Sequence, residues 1–199
     1  MKTKIALFTC ILVSIMGHYI FAASPASYQS EYVGQEMREI KSLSEEDMKE
    51  LEAGKGWGLA KAAELNGFPG PIHLLEMKHE IKLTKTQTEK IEELYNEMNE
   101  RAIPLGKKLI EAERSLNRAF AKREIDERIL VELLANIARI RNKLRYVHLS
   151  AHLKTPPILS LEQIELYNKL RGYSSSENPC DKVPPGHDSE LWKRHHNCP

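Results

Sequence analysis

Residues 84–121 read TKTQTEKIEELYNEMNERAIPLGKKLIEAERSLNRAFA, and their spacing decides the fold. Ile91, Leu94, Met98, Ala102, Leu105, Leu109, Ala112, Leu116 and Ala119 step by three and four, which draws one apolar stripe down a long helix. Pro104 lies inside the stripe. It lacks the N–H that would reach the Glu100 carbonyl, so a kink is expected there and not a break. The chain should turn at Lys122 to Ile125, after which Asp126 can cap a second helix with Ile125 and Leu130 as its hydrophobic staple. Leu130, Leu133, Ile137, Ile140, Leu144, Val147 and Ala151 repeat the three–four step until Pro156-Pro157 ends it. Two long stripes joined by a short turn make an antiparallel helical hairpin. The expected fold class is all-α, a long kinked hairpin with short flanking helices. Such a hairpin cannot bury both stripes, so the first helices, the last helix or a second copy of the chain must cover the rest; a dimer is the expected answer.

Both ends of the hairpin carry the same local signal. Leu83-Thr84-Lys85-Thr86-Gln87 opens the first long helix, and Leu159-Ser160-Leu161-Glu162-Gln163 opens a last one over Leu161 to Leu170. Each is a capping box: the Thr84 or Ser160 hydroxyl accepts from the backbone N–H three residues on, and the Gln87 or Gln163 side chain returns to the cap's own N–H. Being far apart in sequence, the two caps are expected to act additively. Upstream, Ser44 with Glu45, Glu46 and Asp47 starts a helix to Ala53, with Leu43 and Met48 as staple. Gly54-Lys55-Gly56-Trp57-Gly58 breaks it; this is no phosphate loop, since neither a preceding strand nor a Gly-Lys-Ser/Thr ending is present. A short helix Leu59 to Leu65 follows, then a turn, and Pro71 suits the first position of the next helix.

Residues 1–26 read as a signal peptide. Lys2 and Lys4 precede an apolar run from Ile5 to Phe21, and Ser24 and Ala26 supply the small residues for cleavage after Ala26. An uncleaved anchor is the alternative, and Cys10 reads as filler within the run. The helical domain is then 27–173, followed by a tail over 174–199 that contains Ser174-Ser175-Ser176 and four prolines; it is expected to be flexible. Removing Lys2 and Lys4 moves the formal charge from +1 to −1, which argues against nucleic acid as a partner. Acidic residues dominate from Glu31 to Glu100 and basic ones from Lys107 to Arg145. That polarity can make one basic face, or simply a solvated helix surface.

Two copies of the Leu-Thr/Ser-x-x-Gln box, each opening a charged amphipathic helix in an exported chain, resemble the LTxxQ motif of the Spy/CpxP family of periplasmic stress proteins. The resemblance covers roughly residues 72–173. The second box departs from the usual threonine and proline-glutamate spelling at Ser160 and Leu161. The stretch from Gly58 to Pro71 also looks like a segment of the branch described as periplasmic heavy-metal sensors. The resemblance implies a cradle-shaped helical homodimer in the periplasm. It leaves two functions open: an ATP-independent chaperone that holds unfolded clients on a basic and apolar surface, or a metal-binding sensor that partners an inner-membrane signalling protein.

His148 and His152 are four apart on one helix, so both imidazoles project from one side, and each follows a stripe residue, which puts the pair at the stripe's flank. His73 and Met77 form a second such pair, with Glu76 and His79 close by. Brought together, these residues would offer N, O and S ligands to a borderline divalent metal such as Zn, Cu, Ni or Co. The arrangement looks like the CnrX-type site with its His-x3-His and His-x3-Met pairs exchanged between helices. The bland alternative is histidines hydrogen-bonded to carboxylates. In the tail, Cys180, His187, His195, His196 and Cys198 allow either a Cys180–Cys198 disulfide or a metal site, with Trp192 as an apolar anchor. No cofactor is required by either function.

Arg139, Ile140, Arg141, Leu144 and Arg145, with Lys143, mix cations and apolar side chains and are the candidate client-binding residues; a solvated helix flank is the alternative. No nucleophile elbow, HExxH or phosphate loop appears, so the chain does not read as an enzyme.

Overall fold

The computed structural model describes residues 28–173, 183, 189–195 and 198. Among them every regular element is helical. Residues 28–34 form a unit of their own, a turn in which the Val33 amide donates to the Ser30 carbonyl at 3.3 Å.

The second unit is organised by the expected hairpin. Helix α4, Lys85–Ala121, packs along α5, Glu127–Lys154, and Lys154 at the end of α5 reaches Glu97 near the start of α4 at 3.2 Å, so the two run antiparallel. α4 continues through Pro104 without interruption. The turn between them puts Arg123 at φ +57°, and the Glu124 amide closes back on the Ala119 carbonyl at 3.0 Å. Asp126 caps α5 by accepting from the Ile129 amide at 2.7 Å.

Three short helices precede the hairpin. α1, Glu45–Glu52, lies on α4; α2, Lys61–Glu64, touches α5; α3, Pro71–Glu76, lies on the start of α4 with Pro71 in its first turn. α1 comes so close at Gly106 that a Cβ there would overlap the Leu51 carbonyl, which is why a glycine sits in the middle of the apolar stripe. After α5 a 3-10 turn, Pro156–Ile158, leads to α6, Leu161–Leu170. The main core joins Ile40, Leu43, Leu51 and Leu59 to the α4 and α5 stripes, and a smaller one gathers Leu74, Ile81, Ile91 and Tyr167. The flanking helices therefore supply much of the cover for which a second copy was expected.

Of the tail, residues 183, 189–195 and 198 are described. Residues Ser189–His195 form a seventh helix, α7. Neither proline nor glycine interrupts the chain from Asp188 to Cys198, and Glu190 stands in the helix's first turn, where a negative charge is favourable. The signal peptide, with Cys10 and the cleavage site, and Cys180, His187 and His196 lie outside the described residues. No described helix is long and apolar enough to cross a membrane.

Candidate functional site

The two capping boxes form as expected, and then they meet. The Thr84 hydroxyl accepts from the Gln87 amide and the Ser160 hydroxyl from the Gln163 amide, each at 3.2 Å. Gln87 Oε1 accepts from the Thr84 amide and Gln163 Oε1 from the Ser160 amide, each at 3.0 Å. The remaining halves of the two amides face each other. Gln87 Nε2 donates to Gln163 Oε1 at 2.8 Å and Gln163 Nε2 to Gln87 Oε1 at 3.1 Å. Each Nε2 also donates to the carbonyl two residues before the opposite cap, Ile158 for Gln87 at 2.8 Å and Lys82 for Gln163 at 3.3 Å. The motifs are thus related by a local two-fold arrangement. Leu83 and Leu159 both pack against the smaller core. This pairing explains why glutamine, with a donor and an acceptor, stands at the third helical position of both helices.

The histidines converge less simply. His148 and His152 are not at an accessible flank: they are 2% and 6% exposed, and with Ala151 they belong to the buried face of α5. The Phe68–Gly70 segment packs over the end of α5 at His152. His152 Nδ1 lies 2.8 Å from the Phe68 carbonyl, and a Cβ on Gly70 would stand 3.2 Å from His152 Nε2 and 3.6 Å from His73 Cδ2. His73 and His152 therefore flank the same glycine. On the outer side, His73 Nδ1 is 2.8 Å from Glu76 and its Nε2 is 3.9 Å from Glu64. Met77 is the C-cap of α3 and packs into the smaller core, so it stands with Leu74 and Ile81 and not with the histidines.

Burial dominates the electrostatics here. It pushes the His148 pKa down to about 4, with neighbouring His152 adding to the effect, and Nε2 of His148 has no hydrogen-bond partner. Burial also lowers His152, partly offset by the Phe68 carbonyl and Glu64. Burial thus favours the neutral form of both rings. Burial alone would raise Glu64, but hydrogen bonds from Tyr173 and Arg171 outweigh it and leave the carboxyl below its ordinary range. Glu64 Oε1 accepts from Tyr167 Oη at 3.2 Å, Arg171 Nη2 at 2.7 Å and Tyr173 Oη at 2.8 Å, tying α2 to the end of α6. No group of three or more His, Cys, Asp or Glu able to hold a metal ion occurs among the described residues. In the tail, Cys198 is disulfide-bonded, which removes it from the candidate thiolate ligands; His195 lies in α7.

The candidate client-binding residues divide in two. Arg139, Arg141, Lys143 and Arg145 are exposed, and Ile140 is half-buried in the wall of a shallow groove between α4 and α5 with Lys107, Lys108, Ala112 and Asn136. Leu144 is 1% exposed and belongs to the core, because it falls on the α5 face that meets α4; it is not available to a client. Arg141 lies 5.0 Å over the Trp57 ring, whose Nε1 donates to Asp47 at 2.8 Å.

Glu64 and Trp57 carry these arrangements, yet their spacing gives no sign of it: Glu64 is 103 residues from Tyr167 and 107 from Arg171. No family model, no curated protein and no solved structure matches this chain.

Proposed function

We propose that this chain is an exported, ATP-independent, chaperone-like stress protein that holds partly unfolded polypeptide along the side of its helical hairpin. One observation carries the reading. The groove between α4 and α5 has Ala112 and Ile140 as apolar lining, with Lys107 and Lys108 beside them. No acidic residue occurs in α5 from Leu133 to Lys154, and Glu111, which also lines the groove, is engaged by Arg114. A basic approach with an apolar lining attracts acidic chains at a distance and then shields their apolar segments. The paired Gln87 and Gln163 boxes support assigning the chain to Spy/CpxP-type proteins. The thinly covered tip of the hairpin supports a homodimer, which sedimentation of the chain from residue 27 onward tests.

Protein starting at residue 27 should suppress aggregation of a chemically denatured client at near-stoichiometric amounts without nucleotide. Lys107→Glu, Lys108→Glu and Ile140→Ser together should slow capture several-fold, most visibly at low salt. Equal suppression by this variant would remove the groove from the mechanism. Absence of suppression by the parent would overturn the reading.

The metal-sensor reading keeps one observation in its favour, the convergence of His73 and His152 on Gly70 with Glu64 and Glu76 beside them. Calorimetric titration with Zn, Cu, Ni and Co tests it. Binding by the parent and by a chain ending at Tyr173, lost in His152→Ala, would favour a sensor; no heat in any of them would exclude it.

A further inference from the structure

α5 has a second apolar face that the fold leaves uncovered. At 100° per residue, Val131, Leu134, Ala135, Ala138, Tyr146, Leu149 and Leu153 fall within about 60° of one line, opposite Ile137, Leu144 and Ala151. Val131 is 61%, Leu134 47%, Tyr146 62% and Leu153 62% exposed. The stripe runs for about 33 Å along the helix. Arg145 falls within the same span, as does Asn142, while Arg141 borders one edge and Arg139 and Lys143 lie beyond the other. Among the described residues none of Arg139, Lys143 and Arg145 has a carboxylate within 4.0 Å, whereas Lys154 at the far end is paired with Glu97.

We infer that this face of α5 docks on an anionic lipid bilayer, its apolar side chains entering the interface and its cations lying over headgroup phosphates. Charge selects this occupant. A second copy meeting through the same face would set unneutralised cations against unneutralised cations. A captured polypeptide needs a groove or a sheet edge, and this is the convex side of a single helix. A flat anionic surface suits a convex apolar stripe with cations within and beside it, the arrangement by which amphipathic helices lie in the plane of a membrane. Tyr146 adds an amphipathic ring suited to the headgroup level. The inference goes beyond the chaperone reading and is independent of it, since the groove beside Ile140 lies on the flank of the hairpin.

Flotation of the protein from residue 27 onward with lipid vesicles tests it; all of the main core lies in the unit that begins at Gln35. Binding to vesicles of mixed phosphatidylglycerol and phosphatidylcholine should exceed binding to phosphatidylcholine alone by about tenfold or more and fall with added salt. Lys143→Glu with Arg145→Glu, and separately Leu134→Ser with Leu153→Ser, should each reduce it by about tenfold at unchanged helical circular dichroism. The groove variant at Lys107, Lys108 and Ile140 should bind vesicles like the parent. Equal binding to both vesicle types, no binding, or binding that survives both α5 variants would overturn the inference. So would an acidic amphipathic peptide that binds this face while the vesicles do not, which would make the face a polypeptide site.

Discussion

The hairpin has two ends built from one pattern, and they have different fates. Toward its base the stripe residues Ile91, Leu94, Met98, Ala102, Leu109 and Ala112 of α4, and Ile137, Leu144, Val147 and Ala151 of α5, are buried. Toward its tip, from Glu113 to Asn136, no residue is buried, although Leu116, Ala119, Leu130 and Leu133 keep the same three–four step. The base is covered by α1, α2, α3, the 3-10 turn Pro156–Ile158 and Tyr167 of α6. The tip is met by a polar strap: Asn117 Nδ2 donates to the Glu39 carbonyl at 3.1 Å, Ser42 Oγ to Glu113 at 2.9 Å, and Arg114 pairs with Glu39 at 2.7 Å. Periodicity marks which residues can be buried; a neighbour on the other side decides which ones are.

Substitutions should separate the two ends. Gly106→Ala forces α1 off the Leu51–Gly106 contact, and Leu109→Ala opens a cavity in the same layer; each should cost about 3 kcal/mol in chemical denaturation. A cost below about 1 kcal/mol for both would mean that α1 does not seal the base.

Acid should attack the base as well. His148 is held neutral in the fold, with its pKa depressed to about 4. A depressed base binds protons more readily unfolded than folded, so stability is full above the ordinary histidine value of about 6.5 and falls as pH drops from there towards about 4. The loss should be on the order of 3 kcal/mol across that window. His148→Leu should flatten the profile; an unchanged slope would show that His148 is accessible to protons in the native state.

Smaller effects distinguish the caps from their pairing. Thr84→Ala and Ser160→Ala should each cost about 1 kcal/mol. The additivity expected from their separation in sequence does not carry over to the glutamines, which share hydrogen bonds. A cycle with Gln87→Ala, Gln163→Ala and both should give a coupling of about 1 kcal/mol; zero coupling would dissolve the pair. Least of all, Leu116→Ala and Phe120→Ser at the tip should each cost about 0.5 kcal/mol or less in a monomer. A larger, concentration-dependent cost would reveal a second copy covering that end.

The helices from α1 to α6, their starts and the hairpin were legible in the chain because each depends on residues within a few positions of one another. Ser44, Thr84, Asp126 and Ser160 cap where a hydroxyl or carboxylate precedes an apolar period, and Pro71 begins α3, since capping and periodicity are local properties of the backbone. The candidate sites were legible only as residue types. That His152 is interior is fixed with Phe68 and Gly70 lying over it, Phe68 being 84 residues earlier in the chain. Leu144 reads as a client contact until α4 covers it. Glu64 reads as an ordinary surface acid until α6 brings Tyr167 and Arg171 to it. The two glutamines show the division most clearly. Sequence determined that each would turn back on its own cap, because cap and glutamine are three residues apart. Only the tertiary structure decided that they would face each other, because the chain between them, 76 positions from one to the other, is a hairpin whose two ends return to the same place.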